Sequence, residues 1–307
     1  MTRLILRKTF LAIITILAII VLTGFLLHLV PGDPVTALAA LGASSNPQVM
    51  AEMRSRLGLD LPVWQQVGLY VWNVLHADLG KTIRGDEPVL NVLLSRLPST
   101  LILAVSGLGM ALLVGIPVGV FSAVKRGSVA DAVLTMIMVF GASLPAFWTG
   151  LLLVQVFSLK LGWLPVAGTG WRNLLLPALT LGLAYCTLVS RVTRSAIVEV
   201  LGKDYVRTAR ARGLREHQVL LVHALRPALL SIATVGGLIF AHLLGGQIVV
   251  ENVFAWNGIG RVAVQAMLAR DYPLIQGFII VFSTSIVILS TVLDVLYAAL
   301  DPRIRRI

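Results

Sequence analysis

Charge is scarce in this sequence. Only 13% of its 307 residues are Asp, Glu, Lys or Arg, while 57% are hydrophobic. An ordinary soluble domain carries about 25% charged and about 45–50% apolar residues, so the composition places the chain among integral membrane proteins. Cysteine is nearly absent. Cys186 stands alone inside an apolar run, which excludes an internal disulfide and any cysteine-based metal cluster. It reads as a small core side chain. Histidine offers no ligand pair either: His28, His76, His217, His223 and His242 fall at no metal-binding spacing. Neither a Gly-x-Ser-x-Gly elbow nor a Ser/His/Asp order occurs, so no catalytic residue and no metal site is expected. Gly80-Lys81-Thr82 lacks the earlier glycine of a phosphate loop, since position 75 is Leu. Internal repeats and low-complexity segments are also missing, which argues against a carrier built from inverted halves.

Long apolar runs are abundant. A helix crosses the bilayer core with roughly 20 apolar residues, and six runs qualify: Thr9–Val30, Thr100–Ala123, one within Ala132–Ser158, about Leu174–Val192, Pro227–Val250 and Pro273–Leu300. Their glycine and proline content is normal for membrane helices. The first run follows Arg3, Arg7 and Lys8 and resembles a signal peptide in its charge. It is longer than a typical signal core, so an uncleaved first span is expected.

The formal net charge is +11. Nucleic acid is one reading of such an excess, but in a membrane protein basic residues mark the cytoplasmic loops. With the N-terminus in the cytoplasm, the inner segments hold 16 of the 25 Lys and Arg. Both termini are then cytoplasmic. The 70-odd residues between spans one and two lie outside, with short helices expected near Glu52–Gly58 and over Pro62–Leu79, resting on the membrane surface. His242 in span five is a functional candidate by position, with a hydrogen bond between helices as the plain alternative. Asp294 in span six either reaches the interface or pairs with a base.

Between spans four and five lies an unusually polar stretch, Asp204–Arg226. An acid at Asp204 suits a helix start. Ala209 and Ala211 make one face small, Gly213 breaks or turns the helix, and Glu216–Leu225 resumes it. Arg207, Arg210, Arg212 and Arg215 suit acidic or polar partner groups. A helix lying on anionic lipid is one reading. No wide apolar face surrounds Ala209–Gly213, however, which fits a rigid knob for a cytoplasmic protein better. Gly213 is read as either a left-handed turn or a point of close contact with a partner. On the other side, Glu251–Arg261 and Arg270–Tyr272 form the last outer loop. Glu251, Phe254, Trp256, Arg270 and Asp271 suit either the membrane interface or docking of an external protein.

Thr208-Ala209-Arg210-Ala211-Arg212-Gly213-Leu214 resembles the cytoplasmic signature of permease subunits of ATP-binding-cassette importers: Glu-Ala-Ala, three residues, Gly, then about nine residues before Ile-x-Leu-Pro. Arg207 and Thr208 replace the first two residues, and His223 and Arg226 depart from the second half. Asp204-Tyr205-Val206-Arg207-Thr208-Ala209-Arg210-Ala211 with His223-Ala224-Leu225-Arg226 is similar to the peptide and nickel branch. So are His28-Leu29-Val30-Pro31-Gly32-Asp33-Pro34, Leu57-Gly58-Leu59-Asp60, Asp78-Leu79-Gly80, Trp163-Leu164-Pro165, Gly258-Ile259-Gly260-Arg261, Arg270-Asp271-Tyr272-Pro273 and Asp301-Pro302-Arg303.

The resemblance implies an all-α, polytopic type I importer fold in a bacterial inner membrane, with six spans. Residues 1–95 form a first helix and long outer segment, 96–298 the permease core and 299–307 a cytoplasmic tail. It also implies a coupling helix that seats in a partner ATPase through Asp204, Arg207, Thr208, Ala209, Arg210, Ala211, Gly213 and Leu214. Arg191, Arg194 and Arg226 brace that helix at the lipid boundary. The chain is then not an enzyme and binds no cofactor; ATP and Mg2+ belong to two cytoplasmic ATPases. The other partners are a second permease, an outer solute-binding protein and the lipid bilayer, with no nucleic acid. The cargo implied is a dipeptide or oligopeptide, with glutathione or a nickel chelate as alternatives. An ion-gradient-driven carrier is the alternative of another class.

Overall fold

The computed structural model describes residues 2–29, 48, 54–55, 60–83, 85–168 and 170–300. The expected outer helix near Glu52–Gly58 therefore lies outside the described residues, apart from helical 54–55. The elements are α1 (Thr2–Leu29), α2 (Val63–Leu75), α3 (Val89–Val124), α4 (Val129–Ser143), α5 (Ala146–Leu153) continued by a π-helical turn (Val154–Lys160), and α6 (Trp171–Leu201). There follow α7 (Asp204–Ala211), α8 (Glu216–Gln218), a second π-helical turn (Val219–Leu225), α9 (Arg226–Gly246), α10 (Ile248–Val253), α11 (Ile259–Ala269) and α12 (Tyr272–Leu300). Among the described residues the β content is one isolated antiparallel bridge, Lys81 to Pro88. Helices suit a chain that crosses hydrocarbon, because every backbone N–H then finds its partner within its own segment.

Among the described residues five helices are long and apolar enough to span a bilayer, and a sixth crossing results if α4 and α5 with its π turn count as one. The third expected span is thus not straight: its halves meet at 102°. Leu144-Pro145 is the cause. Proline disfavours helical backbone at the residue before it, and Leu144 adopts φ −81°, ψ 135°. Ser128 sets the other end of α4, its Oγ accepting from the Asp131 N–H at 3.2 Å.

The chain divides into two compact units. The first comprises residues 1–98 and 257–307. There α1 packs against α12 and α2, and α11 against α12. Lys8 Nζ lies 2.5 Å from Asp294 Oδ2, which resolves Asp294 as a partner of a base. Gln276 Nε2, buried, donates to the Thr23 carbonyl at 3.1 Å. The helix α2 exposes Trp64 and Trp72 and buries Val67, an arrangement suited to an interface.

The second unit comprises Ser99–Trp256. Its centre is a seam between α3 and α6. Small residues recur every fourth position on α3, at Gly107, Ala111, Gly115 and Gly119, so they share one helix face. A Cβ on Gly115 would sit 2.6 Å from Val189 Cβ, and one on Gly119 would sit 2.6 Å from the Ser190 carbonyl oxygen. From the other side, a Cβ on Gly182 would lie 2.6 Å from Met110 Cβ. In lipid, apolar side chains gain nothing by leaving hydrocarbon, so helices associate where small residues let the backbones meet. The α9 helix also packs on α6. His242 lies edge-on to Tyr185, with ring centroids 6.3 Å apart. Cys186 is buried.

Gly119→Ala should therefore destabilise the protein, by about 1–3 kcal/mol as overpacking typically does. Gly109→Ala, on the same helix but with nothing within 4 Å of the added Cβ, should be neutral or slightly stabilising. Thermal unfolding read by a thiol-reactive dye checks both, because Cys186 is the sole cysteine and buried. Equal midpoints for the two variants would remove the close approach from the account of stability.

Candidate functional site

The polar stretch after α6 folds as its residues dictate. Lys203 takes extended backbone (φ −79°, ψ 148°) and opens α7, with Asp204 in the first turn. Thr208 Oγ1 donates to the Asp204 carbonyl at 3.0 Å. The helix ends where Gly213 turns left-handed, at φ +78°. Gly213 N–H donates to the Arg210 carbonyl at 2.9 Å, and Leu214 N–H donates to the Ala209 carbonyl at 3.4 Å. These two bonds form a Schellman stop, the arrangement that favours glycine at its left-handed position. The left-handed backbone expected at Gly213 is present in the fold. An added Cβ there meets nothing within 4 Å.

Across this turn Arg210 grips Glu216, through Nη2–Oε1 at 2.6 Å and Nε–Oε2 at 3.2 Å. That hydrogen bond raises the Arg210 pKa above its ordinary value. The pair ties the end of α7 to the start of α8 and makes the stretch one piece rather than a loose loop. Arg207 stands 3.8 Å from Asp204, a solvated contact of little energetic weight.

The faces of α7 are sharply divided. Val206 and Ala209 are buried, and α7 packs on α6 and on the second π-helical turn. Asp204, Arg207, Thr208, Arg210, Ala211, Gly213 and Leu214 are exposed. Ala209 is thus a correction to the expected contact face: its small side chain serves packing within this chain. Arg194 is a second correction. Instead of bracing α7 it forms a two-point ion pair with Asp131 of α4, Nη2–Oδ2 at 2.7 Å and Nε–Oδ1 at 3.2 Å. The Gly127 N–H also donates to Asp131, at 3.1 Å. Nothing local in the sequence marks this pair, because its members are 63 positions apart.

The expected outer docking residues are mostly turned inward. The segment after α9 is helical, as α10 and α11, where a loop was expected. Glu251 is fully buried, and Thr100 Oγ1 donates to its Oε1 at 2.7 Å. Gln247 Nε2 donates to the Thr100 carbonyl at 3.1 Å, so a polar cluster joins α10 to α3. Phe254 is buried because Gly150 leaves room for its ring: a Cβ there would lie 3.0 Å from Phe254 Cε2. Asp271 is buried as the cap of α12, accepting from the Leu274 N–H at 3.2 Å and from the Ile83 N–H at 2.9 Å. Trp256 is half-buried and donates to the Ser99 carbonyl at 2.9 Å. Arg270 alone of the five is exposed, in left-handed backbone at φ 53°. Glu251, Phe254 and Asp271 are therefore structural.

Comparison with known proteins finds similarity along most of the chain. Residues 115–306 match the family described as binding-protein-dependent transport system inner membrane component, and residues 1–104 match its N-terminal part. A Brucella abortus (strain 2308) protein named as a peptide transport system permease is 42% identical over 314 residues, covering 99% of each chain. The glutathione transport system permease protein GsiC of Salmonella choleraesuis (strain SC-B67) is 44% identical over 292 residues, covering 95% of each chain. Among solved structures, a chain of the inward-facing MetNI methionine ABC transporter shares the fold with a TM-score of 0.58 at 19% identity, over 68% of this chain and 96% of that one. The chain belongs to the binding-protein-dependent transport system inner membrane component family, and is a multi-pass inner-membrane permease subunit of an ATP-binding-cassette importer.

Proposed function

We propose that this permease pairs with a second permease subunit, and that the two form the path for a short peptide delivered from outside by a solute-binding protein. Two cytoplasmic ATPases bind ATP and Mg2+ and supply the energy; this chain hydrolyses nothing and holds no cofactor. The observation that carries the reading is α7, a helix hung between two spans, buried on one face and open on the other. Its open face offers Arg207, Ala211 and the turn at Gly213. In this reading that face seats in an ATPase groove. Closure of the ATPase pair moves α7, and α6 and α9 carry the motion into the spans, which switch between inward and outward openings. The Arg210–Glu216 grip and the packing of Val206 and Ala209 make α7 stiff enough to transmit it.

The orientation that suits this role puts both termini in the cytoplasm, with the basic residues around α7 on the inner side. Arg270, Trp256 and the outer face of α2 are then available to the solute-binding protein. The cargo reading is supported by relatives named for peptide and for glutathione transport. Glutathione is a tripeptide, so both names describe one chemical class. Uptake of labelled dipeptide and glutathione by cells carrying the complete importer tests it, and transport of neither would reject the class.

Gly213→Glu should insert into the membrane normally yet lower cargo-stimulated ATP hydrolysis by roughly tenfold or more, the effect of about 1.4 kcal/mol at a contact. Purified complexes compared at equal subunit content give the measurement, and wild-type coupling would remove α7 from the ATPase contact. For orientation, a reporter fused after Pro47 should read as extracytoplasmic and one fused after Gly202 as cytoplasmic. Identical sidedness for the two fusions would overturn the arrangement.

A further inference from the structure

At the end of the second unit that carries α7, a cavity of about 530 Å3 opens between α3, α4 and α6. Its polar lining is basic and hydroxylic. Arg126 follows α3, Arg191 and Arg194 lie on α6, and Ser122, Ser190 and Ser195 are among the hydroxyls between them. Arg194 is already neutralised by Asp131. Arg126 and Arg191 are both exposed, and among the described residues neither forms an ion pair. The cavity therefore presents two uncompensated guanidinium groups, with hydroxyls beside them. Its shape does not depend on those groups: Arg194–Asp131 and the bond from Thr187 Oγ1 to the Met138 carbonyl, 2.6 Å, hold α4 against α6.

We propose that this cavity holds the phosphodiester headgroup of an anionic phospholipid. Guanidinium forks match phosphate oxygens two at a time, and serine hydroxyls complete such a cradle. The rest of the lining is apolar, with Met138, Val139 and Val198. The outer face of α4 exposes Met136, Ile137 and Phe140, side chains suited to acyl chains. The cavity thus lies where a span meets its cationic flank, the place where basic pockets between membrane helices take lipid headgroups. A concave site of this size suits a headgroup better than the convex surface of a folded protein. The leaflet that supplies the lipid rests on the orientation proposed above; the binding itself does not.

The complete importer, purified and exchanged into phosphatidylcholine nanodiscs, is the material for the test. Phosphatidylglycerol is titrated in and the retained lipid counted by native mass spectrometry. The wild type should retain one phosphatidylglycerol per copy of this chain with a preference over phosphatidylcholine of roughly tenfold or more, since each basic residue near the surface contributes measurably to anionic-lipid binding. Arg126→Gln with Arg191→Gln should abolish that preference. Ser195→Phe, which fills the cavity from an exposed position without altering charge, should do the same. Ordinary unfolding midpoints confirm that each variant is folded. Unchanged retention in both variants overturns the site. Displacement of the lipid by millimolar inorganic phosphate overturns the lipid as occupant. Release of ATPase subunits at unchanged lipid retention assigns the arginines to a protein contact and overturns the proposal too.

Discussion

The second unit depends on backbone meeting backbone along α3 and α6. In hydrocarbon no hydrophobic gain draws apolar helices together, so shape must do it. Gly115 and Gly119 let α3 reach the carbonyls of Cys186 and Ser190, within a distance that any Cβ would forbid. Once α6 is seated there, α4 is placed through Asp131 and Thr187, and α9 through its own packing on α6. The direction in which α6 leaves the unit then sets where α7 emerges. A seam without side chains has little slack, because Val189 and Thr193 of α6 already fill the space that a Cβ on Gly115 or Gly119 would need. The functional segment thus follows directly from a closely packed helix pair.

Much of this was legible in the residues, and the failures share a cause. The spans could be read because hydrocarbon thickness imposes a length, and the break in α7 could be read because Gly213 is cheap only in left-handed backbone. The orientation of individual side chains was not legible. Glu251, Phe254 and Asp271 look like surface residues in a polar loop. Thr100, the bare face of Gly150 and the N–H groups of Ile83 and Leu274 draw them inward, and none of these lies close in sequence except Leu274. Ala209 misled for a related reason, since a small residue permits close approach without saying from which side. The bend at Leu144-Pro145 and the four-residue spacing of Gly107, Ala111, Gly115 and Gly119 were visible signals that a length criterion alone passes over.

The π-helical turn Val219–Leu225 joins the polar segment to α9 and has a consequence for angular phase. A π turn closes its hydrogen bonds one residue later than an α turn, so it stores a surplus residue within a continuous helix. Each residue of an α-helix advances the side chains by about 100°. The surplus therefore fixes the azimuth at which α9 presents its faces relative to the segment before it. Tightening the turn to regular α-helix with its residue count unchanged would leave every side chain present and every span long enough. It would nonetheless rotate α9 by more than a quarter turn about its own axis. In this protein the relation between the polar segment and the membrane helix after it is a matter of phase, set by a count of residues rather than by any single contact.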